Sequence, residues 1–208
     1  MHIPKTNTLE LRILDFNTAL EASRKANASY DSSVWLYVPC EYSEYRYILG
    51  TKGDRPLICI GINPSTAEPD NLDNTLKSVQ RIALGNGYDS FIMFNVYAQR
   101  ATRPSDMEPE LNLTLHEQNM EAFEYVLSLS KGSPPSIWAA WGTIIETRKY
   151  LPSCVRDMIS IGKKYSAEWF TAGARSKKAG HPHHPLYLQK DSKLDPFDVS
   201  EYLDSLTV

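Results

Sequence analysis

Gly61-Ile62-Asn63-Pro64-Ser65 is the segment of this chain best suited to chemistry. It sets a side-chain amide and a hydroxyl beside a proline that fixes the backbone. From composition alone the same residues read more simply as a tight strand-to-helix turn. Ser65 could serve as a nucleophile with a histidine and an aspartate, but it lacks the flanking glycines of a nucleophile elbow. Two further groups carry unexplained polarity. One is Asn95-Val96-Tyr97 with Arg100 and Arg103, and the other is Ala174 to Pro185, with Arg175, Lys177, Lys178, His181, His183 and His184. The arginines are more often solvated loop residues than clamps, and His181-Pro182-His183-His184-Pro185 could be only a stiff surface loop. The three histidines with Asp70 or Asp73 could suggest a metal. Adjacent His183 and His184 in an extended segment point apart, however, and the spacing matches no zinc motif, so neither a metal nor another cofactor is expected.

The elements that would position these residues follow from periodicity. Residues 14–27 carry Phe16, Ala19, Leu20 and Ala26 at helical spacing. VWLYVPC (34–40) and EYRYILG (44–50) read as an antiparallel hairpin. PLICIG (56–61) and SFIMFNV (90–96) have the continuous apolar character of strands buried on both faces. SIWAAWG (136–142) and EWFTAG (168–173) supply a third and a fourth strand. Asp73 can cap a helix that ends at Gly85-Asn86-Gly87. Thr114 to Glu117 fits a capping box, opening a helix with Met120, Phe123 and Leu127 inward. Residues 143–163 are helical in pattern, with Pro152 expected to split them. Asp195-Pro196 is expected to open a C-terminal helix.

Strands alternating with helices imply one α/β domain over 1–208, with a mostly parallel sheet covered on both faces. In such a sheet, ligands bind beyond the carboxyl ends of the strands. Ile62 to Ser65, Tyr97 to Pro104, Gly142-Thr143 and the 174–185 loop would then meet at one edge. Five cations there, Arg100, Arg103, Arg175, Lys177 and Lys178, would give an acidic protein a locally positive rim suited to an anion such as phosphate. The net charge of −3 and pI near 6.0 argue against a grip on long duplex DNA. No apolar run is long enough to cross a bilayer, and the N-terminus lacks signal-peptide features. Three scattered cysteines fit a reducing compartment, so a cytoplasmic location is expected.

GINPSTA (61–67), LDNTLKSVQRIA (72–83), FNVYAQRATRP (94–104), EQNMEAF (117–123), WAAWG (138–142) and GHPHHPLYL (180–188) together resemble a bacterial family catalogued as domain of unknown function 1643. More distantly, the Asn-Pro loop after the first strand and the His-Pro loop after the fourth are similar to the uracil-DNA glycosylase superfamily, particularly its mismatch-specific branch. That resemblance implies a three-layer α/β/α fold with a four-stranded parallel sheet, to which this chain adds the N-terminal hairpin. It gives Asn63 the role of positioning the water that attacks the sugar carbon. It gives His184 or His181 a hydrogen bond to the departing base oxygen. His181-Pro182-His183-His184-Pro185-Leu186 has one residue more than the glycosylase loop; the pattern leans to His184. Leu186 and Tyr187 are candidates for the apolar wedge, and Tyr97 for the aromatic platform under a base. Gly61, Ile62, Pro64, Ser65, Asn95, Arg100, Arg103, Trp141, Gly142, Lys178 and His183 complete the candidate ligand surface. Two functions stay open: an N-glycosidic hydrolase, and a non-catalytic binding module for a nucleotide, a single strand or nucleic-acid end, or a phosphorylated metabolite.

Overall fold

The computed structural model describes residues 1–4, 11–25 and 29–206. WLYV (β1, Trp35–Val38) and ILGT (β2, Ile48–Thr51) pair as an antiparallel hairpin, Trp35 opposite Thr51. PLICIG (β3, Pro56–Gly61) and SFIMFN (β4, Ser90–Asn95) are buried at every position, as apolar runs covered on both faces must be. They pair in parallel, with Gly61 opposite Asn95. β5 (Ser136–Ala139) lies on the other side of β3 with β6 (Glu168–Ala172) beyond it, both parallel.

These four strands are the centre of a seven-stranded sheet of order β1-β2-β4-β3-β5-β6-β7. The sheet is therefore wider than the expected four strands. The hairpin extends it through β2, antiparallel to β4, and β7 (Leu194–Pro196) covers the opposite edge antiparallel to β6. Along the chain, β4 is laid on one side of β3, and β5 then crosses to the other. The winding reverses between β3 and β5, where a crevice opens in sheets of this kind.

Alternation along the strands divides the interior into two cores. Ile58, Ile60, Ile92 and Phe94 share one core with residues of α1 (Phe16–Lys25), α3 (Leu113–Ser128), α4 (Leu151–Lys164) and α5 (Val199–Ser205). Leu57, Cys59, Phe91 and Met93 share the other with Leu76, Val79, Ile82 and Ala83 of α2 (Asn74–Gly85). Each such fully buried side chain contributes about 1.5–3 kcal/mol, so the sheet holds helices against both of its faces.

Asp73 caps α2 as expected, its carboxylate accepting from Leu76 N at 2.9 Å. Three other helix boundaries differ from expectation. Asn112, not Thr114, caps α3 by accepting from Leu115 N at 3.1 Å, so Thr114 lies inside the first turn. Residues 142–147 form a 3-10 turn, and α4 starts only at Leu151. Pro152 sits in its first turn, where a missing N–H is tolerated, and does not split a helix. Asp195-Pro196 belongs to β7, because pairing with β6 outweighs a local helix-start signal and proline is accepted on an edge strand. The real cap is Asp198, which accepts from Ser200 N and Glu201 N.

The loop after β6 is hung on α2. Ser78 Oγ donates to Pro185 O (2.8 Å), Arg81 Nη2 to Leu188 O (3.2 Å) and Asn86 Nδ2 to Ser192 O (3.0 Å). Among the described residues no helix is long and apolar enough to cross a membrane.

Candidate functional site

A cavity of about 440 Å³ opens at the carboxyl edge of the sheet. The carboxyl end of each parallel strand or the chain beyond it contributes to its wall: Gly61 at the end of β3 with Ile62, Asn63 and Ser65 after it, Asn95 at the end of β4 with Thr102 beyond, Ile144 after β5, and His184 after β6. The first turn of α2 closes one side.

Asn63 is fixed by its own loop. Its Nδ2 donates to Pro64 O (3.0 Å) and to Ala101 O (2.7 Å), and Ala101 N also donates to Pro64 O (2.9 Å). Both amide hydrogens are thereby used, so the group Asn63 offers a ligand is its acceptor, Oδ1. Ser65 Oγ donates to Thr102 Oγ1 at 3.2 Å, which ties the two loops together.

Asn95 is the opposite case. It is 1% exposed, yet neither Oδ1 nor Nδ2 has a hydrogen-bond partner. An unpaired buried amide costs about 1–3 kcal/mol, and such groups in folded proteins call for a reason. Gly61 lets Met93 and Asn95 pack close against the backbone: a Cβ there would lie 2.5 Å from Met93 Cε and 3.3 Å from Asn95 Oδ1.

His184 faces the cavity half-buried. Leu186 N donates to its Nδ1 at 3.2 Å, which selects the tautomer protonated on Nε2. Burial is the main force lowering its pKa, His183 adds to it, and Asp73 opposes both. At neutral pH His184 is thus an uncharged donor.

The remaining candidates lie elsewhere. Pro64 is buried behind the loop, its carbonyl accepting from Asn63 and Ala101. Tyr97 is fully buried, its hydroxyl accepting from Asn112 N and its ring 5.1 Å from that of Tyr150, so it provides no platform in the cavity. Arg100 is also fully buried. It donates to Ser65 O, Ala67 O and the Tyr37 hydroxyl and lies 4.2 Å from the Tyr42 ring, bracing the Asn63 loop from behind. Arg103 is exposed and paired with Asp106. Trp141 is buried, and Gly142 (φ +63°) passes the chain under His184, where a Cβ would be 3.7 Å from the histidine's own. His183 donates from Nδ1 to His184 O at 2.6 Å and leans toward Gly173.

Lys178 and His181 line a second, larger groove of about 1110 Å³ with Arg175 and Lys177. Ser176 and His181 close a tight loop through Ser176 N to His181 O and His181 N to Ser176 Oγ, which carries the lysines away from Asn63. The expected gathering of five cations at one rim therefore does not occur. At this second groove Trp141 Nε1 donates to the Tyr202 hydroxyl (2.9 Å), which bonds His181 Nδ1 (2.8 Å), and His181 Nε2 bonds Glu146 (3.0 Å). That last bond holds Glu146 below the usual carboxylate range. His181 is thus committed on both nitrogens. Asp70 accepts from Trp35 Nε1 and Asp73 caps α2. Among the described residues no group of three or more His, Cys, Asp or Glu is placed to hold a metal.

The cation that does reach the cavity is Arg46, 1% exposed. Tyr45 and Tyr47 on either side of it belong to the core of α1, α3, α4 and α5, while Arg46, in the segment that leads into β2, lines the cavity.

Strand order and cavity position define an open-sheet α/β protein with a polar pocket at its topological switch point. The chain belongs to the DUF1643 family, described as a protein of unknown function, whose family model matches residues 46–186, more than half of the chain. No curated protein and no solved structure matches it. The matched region opens on Arg46 and closes on Leu186, both of which line the cavity.

Proposed function

We propose that this protein is a hydrolase that holds a nucleobase-bearing ligand in the Asn63 cavity and cleaves its N-glycosidic bond by water attack. Asn95 carries this reading. A buried amide with both donor and acceptor unpaired complements the adjacent N–H and C=O of a lactam-type base edge, as a satisfied or apolar residue could not. His184 Nε2–H would donate to a base carbonyl as negative charge develops on it, a role for a neutral donor, not a proton source. Asn63 Oδ1 would accept from the attacking water. An amide cannot take a proton, so the step relies on a sugar carbon with oxocarbenium character: the C–N bond breaks, its electron pair leaves with the base, water oxygen bonds the carbon, and the proton passes to solvent. The resemblance of Gly61 to Ser65 and of the His-Pro loop to uracil-DNA glycosylases supports the same chemistry. The net charge of −3 favours a small ligand or a single strand over duplex.

The test is base release from nucleotides and from single- and double-stranded oligonucleotides carrying uracil, mismatched or damaged bases. Wild type should release a base, and Asn63→Ala and His184→Ala should each lower the rate by about 10²–10³-fold. Failure of wild type on every substrate would sink the hydrolase reading. One observation favours a non-catalytic binding module instead: with Tyr97 buried elsewhere, Tyr187, 91% exposed, is the one aromatic side chain lining the cavity among the described residues. Thermal stabilisation by nucleotides without base release would identify that alternative.

A further inference from the structure

Arg46 and Arg100 are both buried, at 1% and 0% exposed, and among the described residues neither makes a salt bridge. Both donate to the carbonyl of Ala67, at 3.0 and 3.4 Å, and both leave Nε without a partner. Two guanidinium groups thus share one neutral acceptor away from water, an arrangement that is costly unless an anion compensates it. Arg100 has further outlets in Ser65 O, the Tyr37 hydroxyl and the Tyr42 ring. Arg46 has none among the described residues: its Nη2 makes no hydrogen bond to them, and its side chain lines the cavity. Burial first, and the Arg100 charge second, push its pKa down to about 9, which leaves it cationic at neutral pH.

The first turn of α2 lies on the same wall. The amides of Asn74 and Thr75 precede the first intrahelical bond, Lys77 N to Asp73 O, and have no acceptor within the helix. Asp73 shares this wall and opposes an anion, but its carboxylate accepts from Leu76 N and its charge acts on Arg46.

We propose that the cavity contains an anion subsite in which the oxygens of a phosphate monoester pair with Arg46 beside the first turn of α2. The ligand is then a nucleotide or comparable phosphomonoester, not a free base or nucleoside. A dianion suits two adjacent cations where a single carboxylate would leave one uncompensated. This inference rests on the Asn63 cavity being the ligand site, and it is independent of whether a bond is cleaved there.

Titration calorimetry on the full chain tests it, with inorganic phosphate, a nucleoside 5′-monophosphate and the matching nucleoside as probes. Wild type should bind phosphate and bind the monophosphate more tightly than the nucleoside. Arg46→Met should weaken both phosphate-bearing probes by roughly tenfold to a hundredfold, the worth of a charged hydrogen bond, and leave the nucleoside unchanged. Arg46→Lys, which keeps the charge without the fork, should fall between them and carries the comparison if Arg46→Met does not fold. Asn95→Ala should weaken the monophosphate but not inorganic phosphate. Absence of phosphate binding by wild type, or equal affinity in the Arg46 variants, overturns the subsite. Base release without phosphate binding would overturn the subsite and leave the hydrolase standing. Arg46-dependent phosphate binding with no base release from any substrate would do the reverse.

Discussion

Replacing Asn95 by leucine separates the stability of this fold from the polarity of its cavity. The side chain is 1% exposed, and both amide atoms are buried without partners. The amide therefore gives up its hydration on folding and gains no hydrogen bond, a cost of about 1–3 kcal/mol. Leucine has a similar length and branching and adds no polar atom. Leucine is the larger of the two, and the neighbour placed to yield is the flexible end of Met93, which lies with Asn95 Oδ1 beside Gly61. Asn95→Leu should accordingly raise the unfolding free energy by roughly 1–3 kcal/mol, or Tm by about 2–12 °C for a chain of this length. The measurement is thermal unfolding by circular dichroism without ligand, backed by urea midpoints at constant slope. The same variant should lose base release and nucleotide-dependent stabilisation. A fall in Tm would refute the reasoning, since it would mean that the amide already contributes to stability in the folded protein. A rise in Tm with ligand response intact would show that Asn95 does not read the ligand.

Gly61→Ala should cost little stability, at most about 1–3 kcal/mol, because the closest atom to the new methyl, Met93 Cε at 2.5 Å, is the free end of a flexible chain. Ligand affinity should drop more, because Met93 must shift at the cavity wall, and equal binding by the variant in a titration would contradict the role given to Gly61. Tyr202→Phe removes the acceptor of Trp141 Nε1 and a hydrogen bond to His181, which should lower urea stability by about 1–3 kcal/mol while base release stays unchanged. A loss of base release would move the active site to the second groove. His184 has a folded pKa below its ordinary 6.5, so the unfolded chain takes up the proton more readily. Its contribution to stability is complete above 6.5 and is lost as pH falls through the folded value. Wild type should thus lose stability on acidification more steeply than His184→Gln, and parallel profiles would argue against a buried neutral imidazole.

The parts of the fold set by local pattern could be read from the sequence. β3 and β4 are continuous apolar runs, and Asp73 stands before a helical stripe, so their placement needs no knowledge of the rest of the chain. Asn63 and Asn95 could be located for the same reason, since each directly follows or ends such a strand. Other features depend on contacts distant in sequence. Asp195-Pro196 carries a helix-start signal, and only the edge of β6 turns it into a strand. Between His181 and His184 the choice is made by Ser176, which closes the preceding loop and tucks His181 against Tyr202. Arg100, in a polar loop, reads as a cation of an exposed rim, but it is buried and Tyr37, far earlier in the chain, accepts from its guanidinium. Arg46 stood unremarked among tyrosines; its importance follows from the hairpin joining the sheet beside β4, a pairing that hairpin rules do not supply.

The manner in which the His184 loop is fastened bears on how this family could diversify. Ser78, Arg81 and Asn86 hold it by the carbonyls of Pro185, Leu188 and Ser192, atoms that every residue type provides. The anchor is therefore blind to the side chains it carries. Leu186 and Tyr187, at the cavity wall, can be exchanged without unseating the histidine beside them. The ligand preference proposed for the pocket is then a separable module: a small library at these two positions should retune it, while the amides of Asn63 and Asn95 stay where the sheet has put them.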